Sequence, residues 1–184
     1  MHDVRTAVLL ALQAAGGEVV GRTFLQKLVY LAGAKAGLLL PYGPDRYGPY
    51  SPGVAAEVDR LVEAGILMES VDRFPSETGG FERRRHKYVL GPEGHALADQ
   101  HMARTDFPGA AYAKEVRNVQ ATGCDYRQLS LAAKVHWVLS ENEGPITLER
   151  AQEEATRRNW TLTSRDVTGA ADVLVALGLA QRAD

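Results

Sequence analysis

The sequence holds a single cysteine, Cys124, among 184 residues. One thiol can form neither an intrachain disulfide nor a multi-cysteine zinc site. Cys124, next to Gly123, is expected to be a half-buried structural thiol. An excess of either charge is also missing: 21 Lys and Arg against 23 Asp and Glu leave −2 at pH 7. That balance provides no overall basic field of the kind that advertises nucleic acid. No apolar run approaches the roughly 20 residues that span a bilayer. The opening Met-His-Asp-Val-Arg carries an acidic residue with no long apolar core behind it, unlike a secretory signal. Cytoplasmic residence without membrane contact is expected. Catalytic patterns are absent too. There is no Gly-x-Ser-x-Gly elbow, and Gly79-Gly80 lacks the Lys-Ser/Thr of a phosphate loop. The five histidines form no pair at helical i, i+4 spacing for a metal ion. His95 and Asp99, four apart, read as a surface hydrogen bond. No catalytic residue, metal site or cofactor is assigned, and the chain is expected not to be an enzyme.

What is present is a series of well-punctuated helices. Asp3 can cap a first helix to about Ala15, apolar on most faces and so central. Gly16-Gly17 stops it, and Glu18-Val19-Val20-Gly21 reads as a short extended link. Thr23, with Gln26 three later, has the pattern of a capping box for a second helix ending at Gly37. Leu38 to Tyr42 is an apolar connection. Then comes Asp45-Arg46-Tyr47-Gly48-Pro49-Tyr50, a rigid aromatic turn. Ser51 and Pro52 are suited to the N-cap and first position of a third helix, and Gly65 to its stop. Its apolar face is Val54, Val58, Leu61 and Val62; Glu57, Asp59, Arg60 and Glu63 are expected on the other. Two strands, Ile66–Asp72 and Glu82–Leu90, flank a turn-forming cluster around Gly79-Gly80. Gly91-Pro92-Glu93-Gly94 starts another helix.

The order helix, helix, helix, strand, loop, strand is that of a winged helix. Residues 105–125 are expected to be a helical linker. Residues 126–184 read as a second helical unit, with Thr147 and Thr163 or Ser164 as caps. Leu174-Val175-Ala176-Leu177-Gly178-Leu179-Ala180 aligns without gaps on Leu61-Val62-Glu63-Ala64-Gly65-Ile66-Leu67, which suggests two related units. The expected fold is mainly α with a small β-wing: a winged helix-turn-helix domain over 1–104 and a second winged-helix-like unit over 126–184.

Gly21-Arg22-Thr23-Phe24-Leu25-Gln26-Lys27-Leu28-Val29-Tyr30, followed by Tyr47-Gly48-Pro49-Tyr50-Ser51, resembles the YwgA-like family of small prokaryotic proteins. More remotely, it is similar to the SocA/Panacea-type antitoxin domain, where a Leu-Gln-Lys-Leu helix precedes a Tyr-Gly-Pro turn. The likeness covers roughly Met1 to Leu67. It implies a helical, winged-helix-like fold and a regulatory or defence-linked role, and it supplies no reaction and no binding residues.

The strongest functional signal is the basic run Arg83-Arg84-Arg85-His86-Lys87. On a wing, alternate side chains reach opposite faces and can contact phosphate or a minor groove. The plainer alternative is an edge strand blunted by charge. Arg83, Arg84, Arg85 and Lys87, with Arg22 and Arg60 nearer the helices and Lys27 beside them, are the expected phosphate contacts of a homodimeric regulator of double-stranded DNA. The third helix argues against groove reading, since each carboxylate near a phosphate costs on the order of 1 kcal/mol even in water. The competing expectation is a protein-interaction module, an antitoxin or adaptor, using Tyr47, Tyr50, Glu57 and Glu63. The plainer alternative for the tyrosines is a turn packed against the first two helices. Trp137 and Trp160 are expected in the core. Arg150, Arg157 and Arg158, interleaved with Glu149, Glu153 and Glu154, read as a solvated face with i, i+4 pairs.

Overall fold

The computed structural model describes residues 2–74, 83–142 and 144–181, with the side chains of Phe74 and Arg83 excluded. Among these residues the chain forms eight helices and a three-stranded antiparallel sheet. Helix α1 (Val4–Ala14) is the central rod: every residue from Thr6 to Leu12 is buried. The Asp3 side chain caps it by accepting from the Arg5 amide at 3.0 Å. Leu9, Leu10 and Leu12 are fully enclosed, each contributing about 2 kcal/mol of apolar transfer.

The expected extended link is a strand. β1 (Glu18–Val20) pairs with β3 (Arg83–Leu90), which pairs in turn with β2 (Leu67–Phe74), giving the order β1-β3-β2. In register, Leu67 faces Leu90, Glu69 faces Tyr88 and Val19 faces Tyr88 from the other side. With period-2 alternation, this row covers the helices, and Val19, Leu67, Tyr88 and Leu90 are buried. The opposite row, with Val20 and Met68, is exposed. The Gly79-Gly80 turn lies outside the described residues.

Helix α2 (Arg22–Lys35) starts two residues earlier than expected, from Gly21 at φ +99°, and no side chain caps it. The capping box read at Thr23 and Gln26 is not formed, because Gln26 is engaged elsewhere. Helix α3 (Pro52–Glu63) is as expected at both ends: Ser51 Oγ accepts from the Val54 amide at 3.2 Å, and Gly65 follows at φ +70°. Helix α4 (Pro92–Met102) begins at a tight approach. A Cβ on Gly94 would lie 2.6 Å from the Ile66 carbonyl oxygen and 2.9 Å from Leu90 Cδ2. Gly94→Ala must therefore displace backbone, and overpacking of this kind costs about 1–3 kcal/mol. A fall in denaturant midpoint of that size, without change in slope, is the expected measurement.

Residues 105–125 were expected to form a linker. Instead α5 (Gly109–Ala121) packs on α1 and α2, with Tyr112, Ala113, Val116 and Val119 buried. Its polar composition belongs to the solvent side alone. Helices α6 (Tyr126–Ser140), α7 (Leu148–Arg157) and α8 (Ser164–Ala176) complete the chain, and α6 also packs on α2. Asp125, Thr147 and Thr163 cap them by side-chain acceptance. The short repeat has a structural counterpart: the Ile66 amide donates to Leu61 O at 3.0 Å after Gly65, and the Leu179 amide to Leu174 O at 2.8 Å after Gly178. Both are the six-to-one bond of a glycine-closed helix end. Trp160 is buried, Trp137 half-buried. Glu154 is not on a solvated face but 6 % exposed, with Arg150, Arg157 and Arg158 at 2.6, 2.7 and 3.1 Å. The hydrogen bond from Arg158, with the charge of all three arginines, holds its carboxyl below the usual range. No helix among the described residues is long and apolar enough to cross a membrane.

Candidate functional site

The two motifs that carry the family resemblance meet in space. Gly43 and Tyr50 exchange backbone hydrogen bonds at 3.0 and 2.8 Å, closing the loop, and Gly48 N donates to Asp45 O at 2.9 Å within it. Three elements then fasten this loop. From α2, the Gln26 amide binds both backbone groups of Ser51, each at 3.0 Å, and Lys27 Nζ donates to the Pro49 carbonyl at 2.6 Å. From α6, Ser130 and Lys134 press against Gly48. From the segment between α7 and α8, Trp160 Nε1 donates to Asp45 O at 2.7 Å. Gly48 sits at φ +92°, a conformation that favours glycine.

Between α2, α3 and this loop lies a cavity of about 140 Å³ lined by Arg22, Leu25, Lys27, Asp45, Tyr47, Tyr50, Val54, Val58, Asp59 and Tyr88, among others. Val54, Ala55, Val58 and Asp59 reach it together because residues four apart share a helix face. Tyr47 and Tyr50 form its rim, 58 % and 36 % exposed. Lys27 is 1 % exposed. Burial pushes its ammonium down to about 8; Asp45 opposes this shift and Lys134 adds to it. At the opposite end, Arg22 Nε donates to the Tyr88 hydroxyl at 2.7 Å and Nη2 reaches Glu69 and Asp59 at 3.2 and 3.4 Å. Glu69 also meets His86 Nδ1 at 2.6 Å. Burial works against the Glu69 carboxylate, but hydrogen bonds from His86, Tyr88 and Arg22 hold it below the usual range.

The expected phosphate contacts are thus dispersed. Lys27, expected near a groove, is internal. Arg22 is engaged by acids, and Arg60, though mostly exposed, pairs with Glu57 at 3.3 Å. Lys87 bridges Glu18 at 2.9 Å. Arg84 and Arg85 are exposed on β3, opposite Arg73 and Asp72. The Arg83 side chain lies outside the described residues. Glu57 is a correction: expected on the acidic surface, it is 5 % exposed and accepts from Arg5 Nε at 2.6 Å. A carboxylate gains a buried position only with a charged partner, and that partner is 52 positions away. Glu63 remains exposed at the end of α3. Tyr47 and Tyr50 are outward on the cavity rim rather than packed under the helices. His95 does not bond Asp99 directly; Gln13 joins them, at 2.9 and 2.6 Å.

Reading the sequence for function missed Gln26 and Lys27 as the two side chains that hold the turn. A signal was there for Lys27: Phe24 three before and Leu31 four after place it on an apolar helical face. Among the described residues no cluster of His, Cys, Asp or Glu is fit to hold a metal ion.

No family model matches the chain. Over 103 residues it is 30% identical to a Bacillus subtilis (strain 168) protein described as "Uncharacterized protein YwgA". That match takes in 55% of this chain and 57% of the other, so the chain spans little more than half of the curated relative it matches. Similarity to YwgA across about half of its length is the relationship this chain shows.

Proposed function

We propose that the chain is a protein-interaction module that engages its partner through Tyr47, Tyr50 and the cavity they rim. One observation carries this reading: the Asp45–Tyr50 loop is fastened from three sides while its tyrosines face solvent. Aromatics carried on a fastened backbone bind at lower entropic cost, because the loop itself need not be ordered, and tyrosine is enriched among the residues that dominate interface energies. Glu63 and Asp59, exposed along α3, extend the surface; Glu57 does not take part. The test is capture of a partner, its identification, and reconstitution from purified components. Tyr47→Ala and Tyr50→Ala are expected each to weaken the reconstituted complex at least tenfold, with thermal stability unchanged. A complex of undiminished affinity in both variants overturns the proposal.

A second reading, winged-helix binding of duplex DNA by a homodimer, rests on exposed Arg84 and Arg85 on the β2–β3 ribbon. Duplex affinity would then fall steeply with salt, and Arg84→Ala with Arg85→Ala would flatten the slope by about 2. Absence of duplex binding at low salt removes it.

A further inference from the structure

The cavity holds a group that the interaction surface does not use. Lys27 has three N–H donors, and among the described residues its one hydrogen-bond acceptor is the Pro49 carbonyl. It is nonetheless enclosed, and it belongs to the lining of the cavity. A buried ammonium calls for an anion or a full set of acceptors. The acids nearby do not meet that need. Asp45 is exposed to water, and Asp59 lies 3.4 Å from Arg22. Leu25, Val54, Ala55 and Val58 give the wall an apolar stretch, with Thr23 and Gln26 also in the lining. The volume sets the size of the occupant. An apolar protein cavity of about 150 Å³ accommodates one benzene molecule, and this one is about 140 Å³.

We propose that the cavity is a binding site for a small carboxylic acid whose apolar body is about one six-membered ring in size. The carboxylate takes the remaining Lys27 hydrogens at the inner end. The body lies on Leu25, Val54 and Val58, with Tyr47 and Tyr50 at the mouth. Ligand and partner share this recess and its tyrosine rim, so a ligand there would act as an effector by competing with the partner for it, while its own binding is measured without the partner. The charged and titratable groups that face Lys27 or line the recess are Asp45, Tyr47 and Tyr50 on the loop, Lys134 on α6, Arg22 on α2, Asp59 on α3 and Tyr88 on β3. Burial brings the Lys27 ammonium down to about 8, so carboxylate affinity should fall as pH rises through that value.

Phenylacetate, phenylacetamide and benzylamine, titrated calorimetrically into the purified full chain, test this directly. Phenylacetate is expected to bind saturably in the sub-millimolar range and the amide at least tenfold more weakly. At pH 8, binding should take up protons, seen as a dependence of the heat on buffer ionisation. Lys27→Met should lose at least tenfold for phenylacetate, show no proton uptake, and leave amide binding unchanged; that unchanged binding shows the recess is intact. Asp45→Asn, which removes a competing negative charge, should strengthen phenylacetate binding severalfold. Equal affinity for acid and amide overturns the proposal, as does preference for benzylamine, which would make Asp45 and Asp59 the recognition groups. Binding of a peptide ending in a free C-terminal phenylalanine while phenylacetate fails also overturns it and assigns the recess to the end of a partner chain. Loss of phenylacetate binding with the tyrosine-dependent complex preserved would leave the partner reading standing.

Discussion

Lys27→Met should raise the stability of the protein at pH 7, and the gain should cross zero between about pH 9 and 10 and become a loss of about 1–2 kcal/mol by pH 10.5. The unfolded chain holds the Lys27 proton up to its ordinary value of 10.5, whereas burial brings the folded value to about 8. Below pH 8 both states are protonated, and the folded state carries the full penalty of an enclosed cation. Between the two values the unfolded state binds more protons, so stability rises with pH. At 1.36 kcal/mol per pH unit the gap corresponds to about 3 kcal/mol. Methionine removes the charge at similar length but orphans the Pro49 carbonyl, which costs back about 1–2 kcal/mol. The net gain at pH 7 is therefore about 1–2 kcal/mol, or about 2–4 °C in Tm per kcal/mol for a chain of this size. Both proteins also contain tyrosines that burial pushes above their ordinary value of 10.0, Tyr30, Tyr42, Tyr88 and Tyr112; the unfolded chain ionises them first, so they lower the stability of both proteins as pH rises past that value. The difference between the two proteins isolates the lysine. Urea denaturation of both from pH 6 to pH 10.5 measures it. A destabilised Lys27→Met at pH 7 would mean that Pro49 and Asp45 return more to the ammonium than burial removes.

Gly48→Ala should destabilise the fold by about 2–4 kcal/mol. The backbone at φ +92° is one that L side chains enter at roughly 1–2 kcal/mol. The added Cβ would stand 3.0 Å from Lys134 Cγ and 3.3 Å from the Ser130 carbonyl oxygen. The lysine can shift, but the helix backbone cannot without cost, and crowding adds about 1–3 kcal/mol. Gly43→Ala is the control at the other end of the same loop. A Cβ there meets nothing within 4 Å, and no positive φ is involved, so its effect should lie within about 0.5 kcal/mol. Because the loop carries Tyr47 and Tyr50, Gly48→Ala should also weaken the partner complex more than its stability loss alone explains. Equal midpoints for the two variants would show that α6 does not brace the loop.

The difference between Glu57 and Ser51 shows why some residues were legible and others were not. Ser51 caps its own helix, and its partner, Val54, is three residues on; the spacing is visible in the chain. Glu57 has the same acidic character as Glu63 on the same helix, and only the position of Arg5 separates a buried ion pair from a surface charge. Gln26 was misread for a related reason. Its spacing from Thr23 fits a local cap, but a better offer came from Ser51, 25 residues away, where both halves of the amide are satisfied at once. Helix α5 was taken for a linker because its sequence is polar on average; averaging hides a stripe of four buried residues.

The amino-acid sequence by itself determined the strand pair after α3 and the starts and stops of the helices, the start of α2 excepted. Caps at Asp3, Ser51, Thr147 and Thr163 and glycine ends at Gly65 and Gly178 are bonds within a few residues, so their energetics are written locally. The tertiary structure alone decided that β1 joins the sheet, that α5 belongs to the core, and that Lys27, Asp45 and the tyrosine turn share one recess braced by Trp160. Those outcomes depend on burial and on partners 22 to 115 positions apart, which no local pattern encodes.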